Sequence, residues 1–396
     1  MQLAARMSDL GTENAFEVLA EVERLRAAGR DVISFAIGEP DFATPDHISA
    51  AAVAAIERGE THYAPSAGIA PLRAAIAAYM QKSRGLAVGP EHVVVTPGAK
   101  PILYHGLTAL LEPGDEVLVP DPGFPIYASV VRFLGGVPVP LPLRETHDFA
   151  FDPAELKART TPRTRGIILN SPQNPTGGVL SRADLEAVAA LALANDWWVI
   201  SDEIYDQLVY DGDFVSIAAL PGMAARTVIV GGFSKSYAMT GWRLGYGVMP
   251  ETLARAIARI VTNCESCTAT FIQHAGVAAL TGPQAPAQQM VAELKARRDL
   301  MVAGLNQLRG VRCLTPRGAF YAFPNVTEAC KRLGVADSKA FQQRLLAEID
   351  VAVLPRSAFG PALPDEPDQY VRLSYATGRD QIAAGLERLA GLLGRV

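Results

Sequence analysis

The sequence predicts an α/β protein with a mostly parallel sheet covered by helices and a second, smaller α+β domain. Short apolar segments alternate with helical patterns, and each segment is apolar throughout instead of on every second residue. Strands of this kind are buried on both faces, which is typical of a parallel sheet between helices. The pattern changes after about residue 250, which indicates the second domain.

The elements of the first part follow from local signals. An amphipathic helix is expected over 14–28 and a short strand over 32–36. Thr44 and Pro45 are a typical N-cap and first residue of the next helix, which Gly59 ends. Strands are expected at 93–95, 117–119, 167–169, 198–200 and 228–230, with helices over 98–111 and 181–195 between them.

Beyond residue 250 the elements are less regular. Long helices are expected over 251–263 and 284–306. They precede short strands near 311–314, 319–323 and 369–375 and a terminal helix over 380–393. The N-terminal helix precedes the alternating region and is assigned to the same domain. The large domain is therefore predicted to span 48–280, and the small domain to combine 1–47 with 281–396.

Composition and charge exclude several classes of protein. The 36 Lys and Arg residues against 41 Asp and Glu give a net charge of −5 without a basic cluster, which excludes a nucleic-acid partner. No apolar run reaches the about 18 residues of a membrane helix, and no signal peptide is expected. Four cysteines fit a reducing, cytoplasmic location. The single C-x-x-C at Cys264 and Cys267 lacks a second pair, so no metal is predicted and the role of the two cysteines is left open.

Five polar motifs follow the predicted parallel strands, whose carboxyl ends share one edge of a sheet, where ligands bind. We expect them to form one site. The motifs are T-P-G-A-K at 96–100, P-D-P-G-F-P at 120–125, N-S-P-Q-N-P-T-G-G at 170–178, S-D-E-I-Y at 201–205 and G-G-F-S-K-S-Y-A-M-T-G-W-R at 231–243.

Part of this site suits a phosphate and an aromatic ring. Gly98 lets the backbone approach an anion at the start of a helix, and Ser234 and Arg243 add a hydroxyl and a positive charge. Phe124 offers a flat face to a ring. A phosphorylated aromatic ligand is therefore expected.

The other motif residues indicate which ligand it is. Asp202 is a carboxylate at a buried strand end that needs a cationic partner, and Tyr205 and Asn174 can form hydrogen bonds to a ring oxygen. Lys235 is an amine in an apolar context, which lowers its pKa and favours Schiff-base chemistry. A lysine amine with a carboxylate for a pyridine nitrogen describes a pyridoxal 5'-phosphate site.

Further segments match one family in order: G-F-S-K-S-Y-A-M-T-G-W-R-L-G (232–245), N-S-P-Q-N-P-T-G (170–177), S-D-E-I-Y (201–205), G-E-P-D-F (38–42), H-Y-A-P-S-A-G (62–68) and V-R-L-S-Y-A (371–376). With them the sequence resembles the class I aminotransferases of the fold type I pyridoxal-phosphate family, in the branch with many bacterial and archaeal aspartate aminotransferases. The resemblance covers essentially the whole chain.

The resemblance implies a role for each matching residue. Lys235 would hold the cofactor and move a proton between the substrate α-carbon and the cofactor. Asp202 would keep the ring nitrogen protonated, Tyr205 and Asn174 would bond the phenolic oxygen, and Phe124 would stack on the ring.

Other implied contacts concern the phosphate and a partner subunit. The backbone at Ala99 and Lys100, with Ser234 and Arg243, would bind the phosphate. Tyr63 would reach the phosphate of the other subunit, which implies a homodimer with shared active sites.

Substrate contacts are implied as well. Arg372 would bind the α-carboxylate, with the Gly38 backbone and Asn174 beside it. A lysine at the position of Lys100 reaches the distal carboxylate in similar aspartate-active enzymes, which favours aspartate or glutamate as donor. Gly232 stands where some relatives have a phosphate-binding serine, so Ser234 or water is expected to replace that contact.

The predicted activity is an amino-acid:2-oxo-acid aminotransferase that works by ping-pong exchange through pyridoxamine phosphate. One alternative keeps the cofactor and changes the reaction to that of a β-lyase, a decarboxylase or an oxidase. The other is a non-catalytic binding module, which the acidic balance disfavours.

Overall fold

The computed structural model describes residues 1–11, 14–361 and 366–396. Its strands are β1 (Ile33–Ser34), β2 (Val93–Thr96), β3 (Glu116–Asp121), β4 (Val137–Pro142), β5 (Thr164–Asn170), β6 (Trp198–Asp202), β7 (Thr227–Gly232), β8 (Gly245–Val248), β9 (Tyr321–Ala322), β10 (Val351–Ala352), β11 (Leu354–Pro355) and β12 (Val371–Ser374). Its helices are α1 (Asn14–Ala27), α2 (Asp46–Glu57), α3 (Ala70–Arg84), α4 (Lys100–Leu110), α5 (Ile126–Phe133), α6 (Pro153–Ala158), α7 (Arg182–Ala194), α8 (Glu251–Cys264), α9 (Thr270–Thr281), α10 (Ala285–Leu305), α11 (Thr327–Leu333), α12 (Ser338–Ile349) and α13 (Arg379–Leu393). None of these helices has both the length and the apolar character that crossing a bilayer requires.

The large sheet positions the polar motifs. Its spatial order is β2-β8-β7-β6-β5-β3-β4. Strand β8 runs antiparallel to β2 and β7, whereas β7, β6, β5, β3 and β4 pair in parallel. The carboxyl ends of the parallel strands therefore meet at one edge, which is where open α/β sheets bind ligands.

Burial on both faces explains the continuously apolar strands. In β2, Val93 and Val95 pack in a core that includes residues of α2, α3 and α9. Val94 points the other way, into a core with residues of α4, α5 and α8. Because successive side chains alternate between the faces, every position of the strand must be apolar.

The smaller sheets join the N-terminal segment to the C-terminal part. Strand β1 pairs in parallel with β10, and β11, β12 and β9 form an antiparallel sheet. Ile33 and Phe35 share a core with Leu294, Met301 and Leu386. The division into domains 48–280 and 1–47 with 281–396 stays a prediction. A small domain of this composition needs a core that joins its N-terminal and C-terminal segments, and these residues form one.

The structure differs from the expected elements at several places. The strand expected at 311–314 is wrong, because Arg312 forms an isolated bridge with Asn325 there. Helix α2 begins at Asp46, and the Thr44 hydroxyl donates to the Ala238 carbonyl at 2.7 Å instead of capping the helix. Strands β4 and β8 were not expected, since proline and glycine interrupt their apolar runs.

Candidate active site

A cavity of about 560 Å³ opens at the carboxyl edge of the large sheet. Its size is that of a small-molecule site. The predicted site residues that line it are Gly38, Ala99, Lys100, Phe124, Asn174, Asp202, Tyr205, Ser234, Lys235, Arg243 and Arg372. The polar motifs thus surround one space, as their positions after the strands predict.

Lys235 lies in the turn after β7 and is half-buried. Its Nζ donates a hydrogen bond to the Gly38 carbonyl at 2.6 Å and lies 5.7 Å from the centre of the Phe320 ring. Burial lowers the pKa of the Lys235 amine to about 8, although the charge of Glu39 opposes this effect. The amine therefore releases its proton more readily than an ordinary lysine, as a nucleophile and base must.

Asp202 is the last residue of β6. The Tyr127 hydroxyl donates to its Oδ2 at 2.7 Å, and the Ile204 amide donates to Oδ1 at 3.2 Å. Burial raises the pKa of the Asp202 carboxyl to about 6. In the described part of the chain, hydrogen-bond donors rather than a cation hold this carboxylate, so a cationic ligand atom would complete it.

An anion-binding corner forms where α4 begins. The Gly98 backbone has φ +92°, and a Cβ added there would lie 2.2 Å from Nη2 of Arg243. The guanidinium thus rests directly on the backbone that leads into the helix. Ala99 at the helix start forms no side-chain cap, and Ser234 lines the same cavity. A helix N-terminus beside a guanidinium suits a phosphate.

Arg372 and Tyr205 both contact Tyr321. Arg372, buried on β12, donates from Nη1 to Asn174 Oδ1 at 2.9 Å and from Nη2 to the Ala36 carbonyl. Its guanidinium lies 4.4 Å from the centre of the Tyr321 ring. The Tyr321 hydroxyl lies 2.8 Å from that of Tyr205. Burial raises the pKa of the Tyr205 hydroxyl well above its usual value, so this group keeps its proton and can donate it to a ligand.

Phe124 and Lys100 border the cavity on another side. Phe124 is half-buried, and its ring centre lies 5.6 Å from that of Tyr127 in an edge-to-face arrangement. The Lys100 ammonium lies 5.3 Å from the centre of the Phe124 ring, and Lys100 is exposed. An aromatic face and a positive charge are therefore adjacent.

The segment 36–42, which we call the 36–42 strip, runs between β1 and α2 and contacts both the cavity and α10. Two of its backbone carbonyls and two of its carboxylates accept hydrogen bonds from side chains elsewhere in the chain. The pairs are Ala36 with Arg372, Gly38 with Lys235, Glu39 with Thr240 and Asp41 with Arg297.

Tyr63 lies outside the cavity lining, and 90% of it is exposed in the single chain. Its loop is held by Thr270, whose hydroxyl donates to the His62 carbonyl at 2.7 Å, and by Cys267, whose Sγ accepts from the Ala64 amide at 3.4 Å. Cys267 thus has a structural contact, and Tyr63 does not line the cavity of its own chain.

Sequence reasoning missed several lining residues: Glu39, Tyr127, Asn170, Thr240 and Tyr321. Tyr127 had a usable signal, since it follows Phe124 by three residues and lies in the first turn of α5. Tyr321 had none, because it comes from a different sheet.

The residues present fit pyridoxal phosphate. The Gly98 and Arg243 corner accepts a dianion, the Asp202 carboxylate needs a cationic partner, and Lys235 supplies an amine of lowered pKa. Among the described residues, no group of three or more His, Cys, Asp or Glu side chains is arranged to hold a metal ion.

Comparisons with known proteins agree with this chemistry. A family model described as aminotransferase class I and II matches residues 30–389. An aspartate aminotransferase of Geobacillus stearothermophilus is 40% identical over 391 residues, 98% of each chain. Aromatic-amino-acid aminotransferase 2 of Thermococcus litoralis is 40% identical over 366 residues, 91% of this chain and 92% of that protein. The aspartate aminotransferase of Thermus thermophilus with maleate superposes with a TM-score of 0.93 at 37% identity, over 99% of this chain and 100% of that one.

Proposed function

The chain belongs to the class I and II aminotransferases, and from this premise we propose that its amino donor is a dicarboxylic amino acid, aspartate or glutamate. It is a pyridoxal-phosphate-dependent amino-acid:2-oxo-acid aminotransferase of fold type I. The proposal adds the substrate class and the role of each residue. The observation that carries it is the single cavity that Lys235, Asp202 and Arg372 share.

Pyridoxal phosphate, when bound, supplies a ring that withdraws electrons from the substrate α-carbon and a carbonyl carbon that accepts the amino group. Lys235 holds the cofactor and then acts as base and acid. With a pKa of about 8, its Nζ takes the α-proton of the substrate and gives it back near neutral pH. The Gly38 carbonyl, 2.6 Å away, orients this amine.

Asp202 would pair with the pyridine nitrogen of the bound cofactor and keep it protonated. Above pH 6 the carboxylate is mostly ionised, and the hydrogen bonds from Tyr127 and Ile204 fix its direction. Tyr205 and Asn174, which line the same cavity, would donate to the phenolic oxygen, and Phe124 would stack on the ring. Arg243, Ser234 and the start of α4 at Gly98, Ala99 and Lys100 would bind the phosphate, since Arg243 packs on the Gly98 backbone where the helix begins.

Arg372 binds the substrate α-carboxylate. Its guanidinium is buried, and Asn174, the Ala36 carbonyl and the Tyr321 ring fix its plane. A fixed guanidinium can present two parallel N–H groups to a carboxylate, which adds geometric selectivity to the charge. The Gly38 backbone lies beside it in the cavity lining.

Lys100 is proposed to select the distal carboxylate. Its ammonium lines the cavity that also contains Arg372, so a substrate with two carboxylates can engage a cation at each end. The relatives named above include aspartate and aromatic amino acid aminotransferases, so the substrate class needs its own experiment.

The test is a half-reaction screen. The enzyme is loaded with pyridoxal phosphate, each amino acid is added singly, and the absorbance change of the bound cofactor is followed by stopped flow. Aspartate and glutamate should react fastest, and Lys100→Ala should slow them about tenfold, as expected for a charged hydrogen bond, while alanine and phenylalanine change little.

Lys82→Ala is the matched control, since Lys82 is an exposed lysine on α3 outside the cavity. Fast reaction with only aromatic, basic or small neutral amino acids contradicts the dicarboxylate proposal. Equal rates for Lys100→Ala and Lys82→Ala contradict the role of Lys100.

We further propose a homodimer in which Tyr63 reaches the phosphate in the other subunit's site. The exposure of Tyr63 and the contacts that hold its loop support this arrangement. A cytoplasmic location is proposed as well, since all four cysteines are free thiols and fit a reducing compartment.

A further inference from the structure

We propose that Tyr321 is a positioning residue that sets the cofactor contact of Tyr205 and the substrate contact of Arg372 together. The inference rests on the proposed function, because it takes the roles of Tyr205 and Arg372 from there. Tyr321 lies on β9 and is buried, and no motif of the large domain includes it.

The hydroxyl of Tyr321 acts on Tyr205. The two oxygens are 2.8 Å apart, and the rings meet edge to face, with centres 5.8 Å apart. A phenol hydroxyl can accept one hydrogen bond while it donates another. Tyr205 can therefore accept a hydrogen bond from the Tyr321 hydroxyl while its own hydroxyl donates one to the phenolic oxygen of the cofactor. Hydrogen bonds in such a chain strengthen each other.

The ring of Tyr321 acts on Arg372. Strands β9 and β12 are antiparallel, and Tyr321 pairs with Ser374. Arg372, two residues along β12, is the diagonal neighbour on the same face of the sheet. Its guanidinium lies 4.4 Å from the ring centre, within the range of a cation–π contact. The ring therefore supports the plane of the guanidinium that would receive the substrate carboxylate.

The 36–42 strip limits where Tyr321 can move. A Cβ added to Gly38 would lie 2.1 Å from the Tyr321 hydroxyl oxygen and 2.9 Å from Cζ. The backbone of Gly38 therefore packs directly against the phenol, and its carbonyl accepts the hydrogen bond from Lys235. Tyr321 is held in place by the same residue that orients the lysine.

Two substitutions separate the two actions of this side chain. Tyr321→Phe removes the hydroxyl and keeps the ring under Arg372. We expect kcat to fall about 3- to 10-fold and the KM for the amino acid to change less than about twofold, since one hydrogen bond is lost and the arginine support is kept.

Tyr321→Leu removes the hydroxyl and the ring. We expect the same loss in kcat and, in addition, a KM about 5- to 30-fold higher, because the cation–π support of Arg372 is absent.

A spectroscopic readout separates positioning from general damage. In Tyr321→Phe, Tyr205 becomes a weaker donor, so the pH midpoint of the visible absorbance of the bound cofactor should rise by about half a unit to one unit. The substitution leaves unchanged the other titratable and charged groups that line the cavity, which are Glu39, Lys100, Tyr127, Asp202, Tyr205, Lys235, Arg243 and Arg372.

Tyr375→Phe is the matched control, because it removes the hydroxyl of a fully buried tyrosine that donates to the Ala319 carbonyl at 3.4 Å and does not line the cavity. It should keep kcat, KM and the spectrum. If Tyr321→Phe has the wild-type midpoint and kcat, or if Tyr321→Leu keeps the wild-type KM, the inference is overturned.

The proposed function fails in a different way. It is contradicted if the wild-type enzyme does not transaminate, or if Arg372→Lys leaves the KM for the amino acid unchanged. If the wild type transaminates and Arg372→Lys raises the KM, but the Tyr321 variants behave like Tyr375→Phe, the inference alone is wrong.

Discussion

Replacing Asp202 by asparagine should stabilise the cofactor-free protein and at the same time disable the enzyme. The carboxylate is half-buried and, among the described residues, is held by the Tyr127 hydroxyl and the Ile204 amide without an ion pair, so its ionised form is unfavourable in the cofactor-free protein. Asparagine can accept from Ile204 and donate to the Tyr127 oxygen, so neither neighbour loses its hydrogen bond.

The magnitude follows from the pKa of Asp202, which burial raises from an ordinary 3.8 to about 6. The folded protein then binds more protons than the unfolded chain between these two values, so the stability falls as the pH rises through this window. The raised pKa of Asp202 lowers the free energy of unfolding of the wild type by about 3 kcal/mol at pH 8 and by about 1.5 kcal/mol at pH 5. The advantage of the variant should therefore grow by about 1.5 kcal/mol from pH 5 to pH 8.

The assay is urea unfolding of the cofactor-free protein at pH 5 and pH 8, at one protein concentration and one ionic strength, followed by tryptophan fluorescence. Asp213→Asn is the control, since Asp213 is exposed. In the loaded enzyme, Asp202→Asn should lower kcat/KM about 100-fold, as expected if the proposed charged hydrogen bond from Asp202 to the cofactor is lost.

Two results would refute the reasoning. One is a variant that is less stable than the wild type at pH 8. The other is a gain that is the same at both pH values, which would mean that ionisation of Asp202 is not its cause.

Two further predictions concern the partner subunit and the packing of the small sheets. Hybrid dimers of one Lys235→Ala chain and one Tyr63→Phe chain should have about half the wild-type activity. The reason is that one of their two sites combines an intact Lys235 with an intact Tyr63 from the other chain. Activity no higher than the mean of the two parent dimers contradicts the shared site. The Arg356 guanidinium is buried and lies 2.6 Å from the Asp121 carboxylate and 2.8 Å from that of Glu366. Arg356→Leu should therefore destabilise the protein by about 3–5 kcal/mol in thermal unfolding, and adding Asp121→Asn should restore part of that loss. An unchanged Tm of Arg356→Leu contradicts this prediction.

The strands that are buried on both faces were predictable because such burial demands an uninterrupted apolar run, as at 93–95. Strand β4 was hidden because prolines occupy every second position of Val137–Pro142, which is tolerated where the strand pairs with β3 at the edge of the sheet. Strand β8 contains two glycines in four residues, so it lacks the side chains on which pattern reasoning depends. In both cases the neighbouring strands, not the local sequence, determine the structure.

The site was predictable where residues follow parallel strands, because topology alone brings Asp202 and Lys235 to one edge. Tyr127 was missed because a tyrosine on a helix is usually read as core. Tyr321 was missed because its partners, Tyr205 and Arg372, are far from it in sequence or lie on another strand. Long-range contacts of this kind leave no spacing that one sequence can show.

The 36–42 strip makes this enzyme sensitive to the length of its chain. Its contacts with Arg372, Lys235 and Thr240 start from positions 36, 38 and 39, so one residue inserted or deleted between these positions would change the spacing of the acceptors by up to about 3.3 Å, the rise of an extended residue. A point substitution leaves the carbonyl acceptors in place, whereas an insertion or deletion there prevents the arginine and lysine contacts from forming at the same time. When related sequences are collected for this activity, or libraries of variants are built, those with an alignment gap between positions 36 and 39 should therefore be excluded.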